Sequence, residues 1–449
     1  MSAPAAAPAE DPHYLRDVTA LGDVLGTVVV SVPFFPYYLR DVTALGDTHE
    51  VHTREAVYSK NRIKLLEQGV RVDSALFDQL MQHKLAAPLE QSLRVADAVS
   101  GKDLAEEALR LAASDTGYGL LSSASMPLEQ LRRALQHAPC DDALAVRLTV
   151  MRERRPVMYA HAVGAGLLCA LVAVRARMSE KDQALYAGAG LYHDIGEMHV
   201  DPELFTARRT LSGAERRHIF VHPMTAYLTL ESRPATRGAL AKAVLEHHER
   251  LDGSGYPRGL TGDKVSLLGK ALAVVELATP FAAQAPSSGA LERLAMALKL
   301  NHRRIEKSAS DVLMALAQGG SAQPPGEDSK AEIEAALARL RLVQASYADW
   351  AALAAGKGSS GPAFDWATER MAFFERTLVE SGLDAGNGGD LAELLEVDPG
   401  ALREIPSMVR ELAWQLTEIL HGLHRRPDAL PTGALAAWAE QSTAQLAQR

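Results

Sequence analysis

Eleven consecutive residues, His247-His248-Glu249-Arg250-Leu251-Asp252-Gly253-Ser254-Gly255-Tyr256-Pro257, concentrate groups that bind metal, bend the backbone and stack on flat ligands. A second cluster, His193-Asp194-Ile195-Gly196, lies upstream. Imidazoles and carboxylates are the ligands that divalent transition metals take. Adjacent residues on a helix point roughly 100° apart. His247 and His248 therefore suit two different metals, or one metal and one phosphate. By the same geometry His193 and Asp194 reach two metals, or one metal that the carboxylate bridges. Two divalent ions held close together clamp a phosphodiester from both sides and lower the pKa of bound water towards neutrality.

Two further histidines join the set. His161 stands in an apolar, helix-like run from Val157 to Val174; read alone it would be a hydrogen-bonded core residue, and the other histidines change that reading. His218 and His222 are four apart and would share a helix face, but Pro223 marks a helix start or a kink just there. We read His222 as the ligand and His218 as a surface histidine. Gly253 and Gly255 permit a sharp turn and the close approach of a ligand. Tyr256 offers a ring for base stacking and Pro257 fixes its direction. Arg250 and Arg258 flank the turn, where they could meet phosphates.

These groups need scaffolding, and the pattern supplies mostly helix. Residues 1–51 read as an irregular or disordered leader. Within it Tyr14-Leu15-Arg16-Asp17-Val18-Thr19-Ala20-Leu21-Gly22-Asp23 recurs unchanged at Tyr38 to Asp47, too short for a solenoid unit; no activity is assigned to it. Residues 52–140 read as a small regulatory-type domain of mixed character. Its strand candidates, Val57–Ser59 and Ile63–Leu66, flank the turn Lys60-Asn61-Arg62. Asp73 or Ser74 would cap a helix running to about Leu85, and helical periodicity is read over Leu89–Val99, Leu104–Ala113 and Leu128–Gln136. Residues 141–318 carry the chemistry on helices with short loops. A Gly/Pro-rich linker, 319–329, follows. Residues 330–449 read as helices over Lys330–Ala355, Pro362–Ser381, Asp390–Leu395, Pro406–Leu423 and Gly433–Gln448, with Trp350, Trp366, Trp414 and Trp438 as packing anchors.

Composition narrows the partners. With 449 residues and 47% hydrophobic content the chain can bury a sizeable core, although aromatics make up only 5% and Ala and Leu must fill it. A net charge of −9 provides no basic field for duplex nucleic acid. Two cysteines, Cys140 and Cys169, make no disulfide framework and are expected as buried thiols. The apolar stretch Val24 to Phe35 is too short and broken to span a bilayer, and no positively charged signal-peptide start is seen. The expectation is a cytoplasmic protein without a membrane partner.

Together these residues resemble the HD-GYP family, a branch of the HD superfamily of metal-dependent phosphohydrolases, over about residues 141–316. His161, His193-Asp194, His222, His247-His248 and Asp252 to Pro257 follow the family's order. The resemblance implies an all-helical domain, with a mainly α chain flanking it. It implies a metal centre of iron or manganese held by His161, His193, Asp194, His222, His247 and His248. It also implies hydrolysis of cyclic di-GMP to the linear dinucleotide or to GMP, with Asp194 and Glu197 at the catalytic positions and Arg250, Asp252, Gly253, Gly255, Tyr256, Pro257 and Arg258 towards substrate.

Three departures qualify the match. Glu197 stands where the family commonly has lysine, so it either ligates metal or turns away from phosphate. Glu276, within Val275-Glu276-Leu277-Ala278-Thr279-Pro280, aligns with the family's late metal-binding aspartate. Val157 occupies the position where trinuclear members carry a glutamate, which favours two ions. The reading is thus a two-metal cyclic di-GMP phosphodiesterase, with regulatory protein partners through the flanking helices and a homodimer among its admissible assemblies. The alternatives are a degenerate, non-catalytic module that binds nucleotide or a protein, and an HD hydrolase of another phosphate ester.

Overall fold

A computed structural model of the chain describes residues 36–123, 128–206, 211, 213–285, 289–320, 330–356, 360–384, 399–424 and 431–447. The first element corrects the expectation of an irregular leader. The second copy of the decapeptide forms helix α1 (Pro36–Leu45), with Tyr38, Leu39, Val42 and Leu45 buried. Leu39, Val42 and Thr43 recur at helical spacing, which gives the segment one apolar face to bury. The first copy lies outside the described residues.

Strands β1 (Val51–Thr53), β2 (Val57–Tyr58), β3 (Lys64–Leu66) and, beyond the short helix α2 (Phe77–Met81), β4 (Leu93–Val95) form two antiparallel pairs. β2 pairs with β3 around the expected turn, and β1 pairs with β4 in the register Val51↔Val95. Asp73 caps, its side chain accepting from the Ala75 N–H at 3.1 Å, but what it caps is the 3-10 turn Ser74–Leu76, and the helix behind that turn ends at Met81, short of the expected Leu85. The helix read over Leu89–Val99 is not formed. Leu89–Ser92 is a 3-10 turn and Leu93–Val95 pairs as a strand, because Leu93 and Val95 alternate inward while Arg94 points out.

Helices then succeed one another: α3 (Gly101–Ala112), α4 (Gly117–Ser123), α5 (Leu128–Gln136), α6 (Asp142–Arg154), α7 (Pro156–Arg175), α8 (Glu180–Tyr192), α9 (Pro202–Thr206), α10 (Gly213–Phe220), α11 (His222–Glu231), α12 (Ala239–Glu246), α13 (Leu267–Ala282), α14 (Ala290–Leu300) and α15 (Lys307–Gly320). Helix α7 is apolar on nearly every side. By length and hydropathy it could cross a membrane, but 78% of its apolar window is buried inside the protein. It is the central core helix, packed most closely against α8.

One hydrophobic cluster runs continuously from Tyr38 to Ala317, so the boundary expected near residue 140 coincides with no break in the core. Polar contacts cross the same place. Buried Glu90 accepts from Arg147 at 2.7 Å and lies 3.5 Å from Arg233, joining the strand region to α6 and the segment after α11. A second cluster, from Ala336 to Leu446, holds the C-terminal helices α16 (Lys330–Ala355), α17 (Pro362–Glu380), α18 (Pro399–His424) and α19 (Gly433–Leu446). Trp350 packs on Trp438 with ring centroids 5.1 Å apart, while Trp366 and Trp414 lie under the guanidinium groups of Arg370 and Arg304. The expected linker largely, and the helix over Asp390–Leu395 wholly, lie outside the described residues. Cys169 is buried, but Cys140 is exposed, just ahead of the Asp141 cap of α6.

Candidate metal centre

The ligand candidates come from five helices, three of them contributing at an end and two from within. His161 stands in the first half of α7. His193 closes α8, and Asp194 opens the 3-10 turn Ile195–His199. His222 begins α11, with Pro223 in its first turn, where a missing N–H is tolerated. His218 sits on α10, so the two histidines do not share a helix face as their spacing suggested. His218 is half-buried beside Tyr37 rather than on the open surface. His247 closes α12, and Glu276 comes from the middle of α13.

Gly196 explains how these ends approach. A Cβ there would stand 2.1 Å from the His222 carbonyl oxygen. Only glycine lets the start of α11 settle on the turn that follows His193-Asp194.

Seven side chains form two groups of four that share one residue. His161, His193, Asp194 and Glu276 offer ligand atoms within 4.8 Å of one another, as do Asp194, His222, His247 and His248. In the first group His193 Nε2 lies 3.0 Å from His161 Nε2, 3.1 Å from Asp194 Oδ2 and 3.2 Å from Glu276 Oε2. In the second, His222 Nε2 lies 3.2 Å from Asp194 Oδ1 and 3.2 Å from His247 Nε2. Asp194 thus turns one oxygen to each group. Ligand atoms about 2.1 Å from one ion and roughly a right angle apart stand about 3 Å from each other, so these separations match edges of a coordination shell.

Main-chain carbonyls set the imidazole orientation. The Nδ1 atoms of His193, His222 and His247 lie 2.7, 2.8 and 2.6 Å from the carbonyl oxygens of Gly190, Ile219 and Val244. A ring that donates through Nδ1 leaves Nε2 bare for a metal. Asp194 Oδ1 and Glu276 Oε2 are buried, and what each faces at 3.2 Å is a ring nitrogen of the centre rather than a main-chain or hydroxyl donor. An anionic oxygen left so calls for a cation, and the donor set fits divalent iron, manganese or zinc.

The electrostatics differ across the centre. Burial disfavours charge on Asp194 and Glu276, but the surrounding imidazoles hold both carboxyls well below their ordinary range. Burial also opposes protonation of His161, yet hydrogen bonding to Asp194 and Glu276 outweighs it and lifts the ring to about 9. Burial and neighbouring rings push His247 and His248 down, leaving them neutral. Glu197 is half-buried and close enough to the centre to feel the charge of Asp194. Burial first, then the Asp194 carboxylate, push it up to about 8.

The turn after His248 works differently from expectation. Gly253 adopts φ +77°, and a Cβ on Gly255 would stand 2.3 Å from the His248 carbonyl oxygen. Tyr256 folds back so that its ring stacks on His248, centroids 4.5 Å apart and planes 16° apart; the Tyr256–Pro257 peptide is cis. Asp252, expected towards substrate, is instead used internally: Oδ1 accepts from the Ser254 N–H and hydroxyl, and Oδ2 lies 3.3 Å from Arg304. Arg258 is likewise committed, donating to Glu246 at 2.6 Å. Arg250 is buried, and its guanidinium donates to the His247 and Glu249 carbonyls. Two acids escaped the sequence reading. Glu249 accepts the N–H groups of Arg258 and Leu260 at 2.8 Å, and Glu246 accepts the Ser266 N–H and hydroxyl. Their signal was present, as carboxylates flanking a histidine pair. Val157 is 84% exposed and supplies no ligand.

Residues 144–299 match the family model described as the HD domain. The chain is 26% identical over 246 residues to a 3'3'-cGAMP-specific phosphodiesterase of Vibrio cholerae, covering 53% of this chain and 52% of that one. It is 37% identical over 123 residues to a cyclic di-GMP phosphodiesterase of Pseudomonas aeruginosa, covering 26% and 29%. A further 3'3'-cGAMP-specific phosphodiesterase of Vibrio cholerae is 30% identical over 139 residues, covering 30% and 32%. The chain therefore spans about half the length of the first of these relatives and a third or less of the others. It carries a helical HD domain.

Proposed function

We propose that this chain is a cytoplasmic phosphodiesterase that hydrolyses a cyclic dinucleotide, cyclic di-GMP or 3'3'-cGAMP, at a centre of two divalent ions, iron or manganese. The observation that carries the reading is Asp194, with Oδ2 3.1 Å from His193 and Oδ1 3.2 Å from His222. One carboxylate oriented this way supports two adjacent sites rather than one. The names of the relatives support the substrate class.

In this reading His161, His193, Asp194 and Glu276 hold one ion, and Asp194, His222, His247 and His248 hold the other. Bound together, such ions neutralise a phosphodiester and supply a nucleophile from water near neutral pH. The protein orients the rings through their carbonyl bonds and closes the floor of the centre with α7 and α13. Tyr256, stacked on His248 and half-buried, is the ring a base would meet. Glu197 is the residue placed to hold or take a proton beside the centre, since burial and Asp194 keep its carboxyl near neutrality.

The test is direct. Purified chain loaded with ferrous iron or manganese is incubated with each dinucleotide, and linear products are separated by chromatography. The expected result is a linear dinucleotide or mononucleotide from at least one of them, abolished by His193→Ala. A failure with both substrates and both metals would favour the non-catalytic module, whose supporting observation is the carboxylate of Glu197 where the family commonly has lysine. Cleavage of simple phosphate esters with no preference for either dinucleotide would point to the third reading.

A further inference from the structure

Seven candidate ligands meet at the centre, and their anchoring is unequal. His193, His222 and His247 each have a carbonyl behind the ring. The His248 ring makes no hydrogen bond with a described residue; Tyr256 stacks on it at 4.5 Å, while the His247 and His222 rings lie tilted or edge-on to it at 4.1 and 5.0 Å. The Tyr256 N–H also donates to the His248 carbonyl at 3.1 Å. The orientation of His248 therefore follows that of the turn Asp252–Tyr256.

That turn is held from outside the helices that carry the ligands. Arg370, on α17, donates to the Gly253 carbonyl oxygen at 3.0 Å. Arg304, between α14 and α15, donates to Ser254 Oγ at 3.0 Å and pairs with Asp252 at 3.3 Å. Arg304 is in turn fixed by the C-terminal helices. It donates to Asn301 Oδ1 at 3.0 Å, Asn301 donates to Glu411 on α18 at 2.5 Å, and the guanidinium lies over the Trp414 ring. Arg304, Arg370 and Glu411 are all buried, and buried charge-assisted bonds of this kind hold geometry firmly. All three lie beyond the segment that matches the HD model, which ends at residue 299.

We propose that the C-terminal helices α17 and α18 are a positioning element for the second ion. Arg370 directly, and Glu411 through Asn301 and Arg304, hold the Asp252–Tyr256 turn so that Tyr256 sets the His248 imidazole towards Asp194. Loosening α17 or α18 from the turn then weakens one ion and leaves the other, which makes this interface a place where occupancy of the centre is controlled. The inference rests on the two-ion reading for its consequence, but the contact route itself does not require an ion.

The experiment uses the full chain with isotope-labelled histidine, and the His248 ring signal is assigned by its loss in His248→Asn. In metal-free wild type that signal is expected to be displaced upfield by the stacked tyrosine. Arg370→Met should remove the displacement and weaken the second ion about tenfold, the lower end for outer partners of a metal ligand, with the first ion unchanged. Arg370→Lys should restore part of both. Glu411→Ala acts on the same turn from the other helix and should do the same. A folded Arg370→Met or Glu411→Ala chain with unchanged His248 signal and unchanged second-ion affinity overturns the proposal. Should neither variant fold, hydrogen exchange of wild type decides: Ser254 and Tyr256 amides opening together with α17 and α18 uphold it, and earlier, independent opening overturns it. Wild type with the displaced ring but without bound metal would sink the two-ion reading and leave the route standing. Two bound ions beside an undisplaced His248 ring would sink the route alone.

Discussion

The two halves of the centre are built from the same residue types but are different sites. Around His193, two carboxylates face two imidazoles, and hydrogen bonding to those carboxylates lifts the His161 ring to about 9 against burial. Around His222, three imidazoles face a single oxygen of Asp194, and burial keeps His247 and His248 neutral. The first half brings more negative charge to a cation, on α7, α8 and α13. The second brings softer, neutral donors, and one of them rests on a loop. Charge count and anchoring both predict that the first ion is held more firmly.

The largest effect that can break this comparison is at the shared residue. Asp194→Asn keeps the side-chain volume and removes the bridging charge, so elemental analysis should find fewer than one ion per chain and no product should form. Next comes the asymmetry itself. Dialysis against graded chelator should show a plateau at one ion per chain in wild type, and His248→Ala should begin at that plateau. Both ions leaving in one step would show the halves to be equivalent. Glu197→Lys sharpens the comparison from the substrate side: the KM for an anionic dinucleotide should fall several-fold with metal content unchanged, and a loss of metal instead would make Glu197 a ligand.

The smallest effect concerns the C-terminal contact. Burial raises the Glu411 carboxyl, against the lowering pull of Asn301 and Arg304. A carboxyl whose pKa is higher folded than unfolded stabilises fully below the unfolded value, and that stability is lost as pH rises through the folded value. The melting temperature should therefore slope downward above the ordinary glutamate range, and Glu411→Gln should flatten that part of the slope in calorimetry. An unaltered slope would show that Glu411 is not its source.

Much of the architecture could be read from local pattern. The β2–β3 hairpin, the Asp73 cap, α7 around His161 and the C-terminal helices near Lys330, Pro362 and Gly433 all follow from periodicity and capping chemistry. The failures share a cause. The segment Leu89–Val95 has apolar residues at spacings that suit helix or strand, and its pairing with β1 decided the matter. Helix α1 was set aside because a repeat carries no local meaning, yet Asp41 on it meets Arg155 at 2.7 Å, and that guanidinium reaches the carbonyls of Glu197 and Met198 beside the metal centre. Arg258 and Asp252 were read as facing substrate because their partners, Glu246 and Arg304, could not be seen from the turn itself.

Sequence alone determined which groups can bind metal, that the scaffold is helical, and which ligands travel as adjacent pairs, because residue chemistry and helical spacing are properties of short stretches of chain. Tertiary structure alone decided that Asp194 divides its oxygens between two groups, that Glu276 joins the first of them, and that helices far along the chain hold the turn under His248. Those are distances between side chains remote in sequence, and only the burial of a common core brings such atoms within coordination reach.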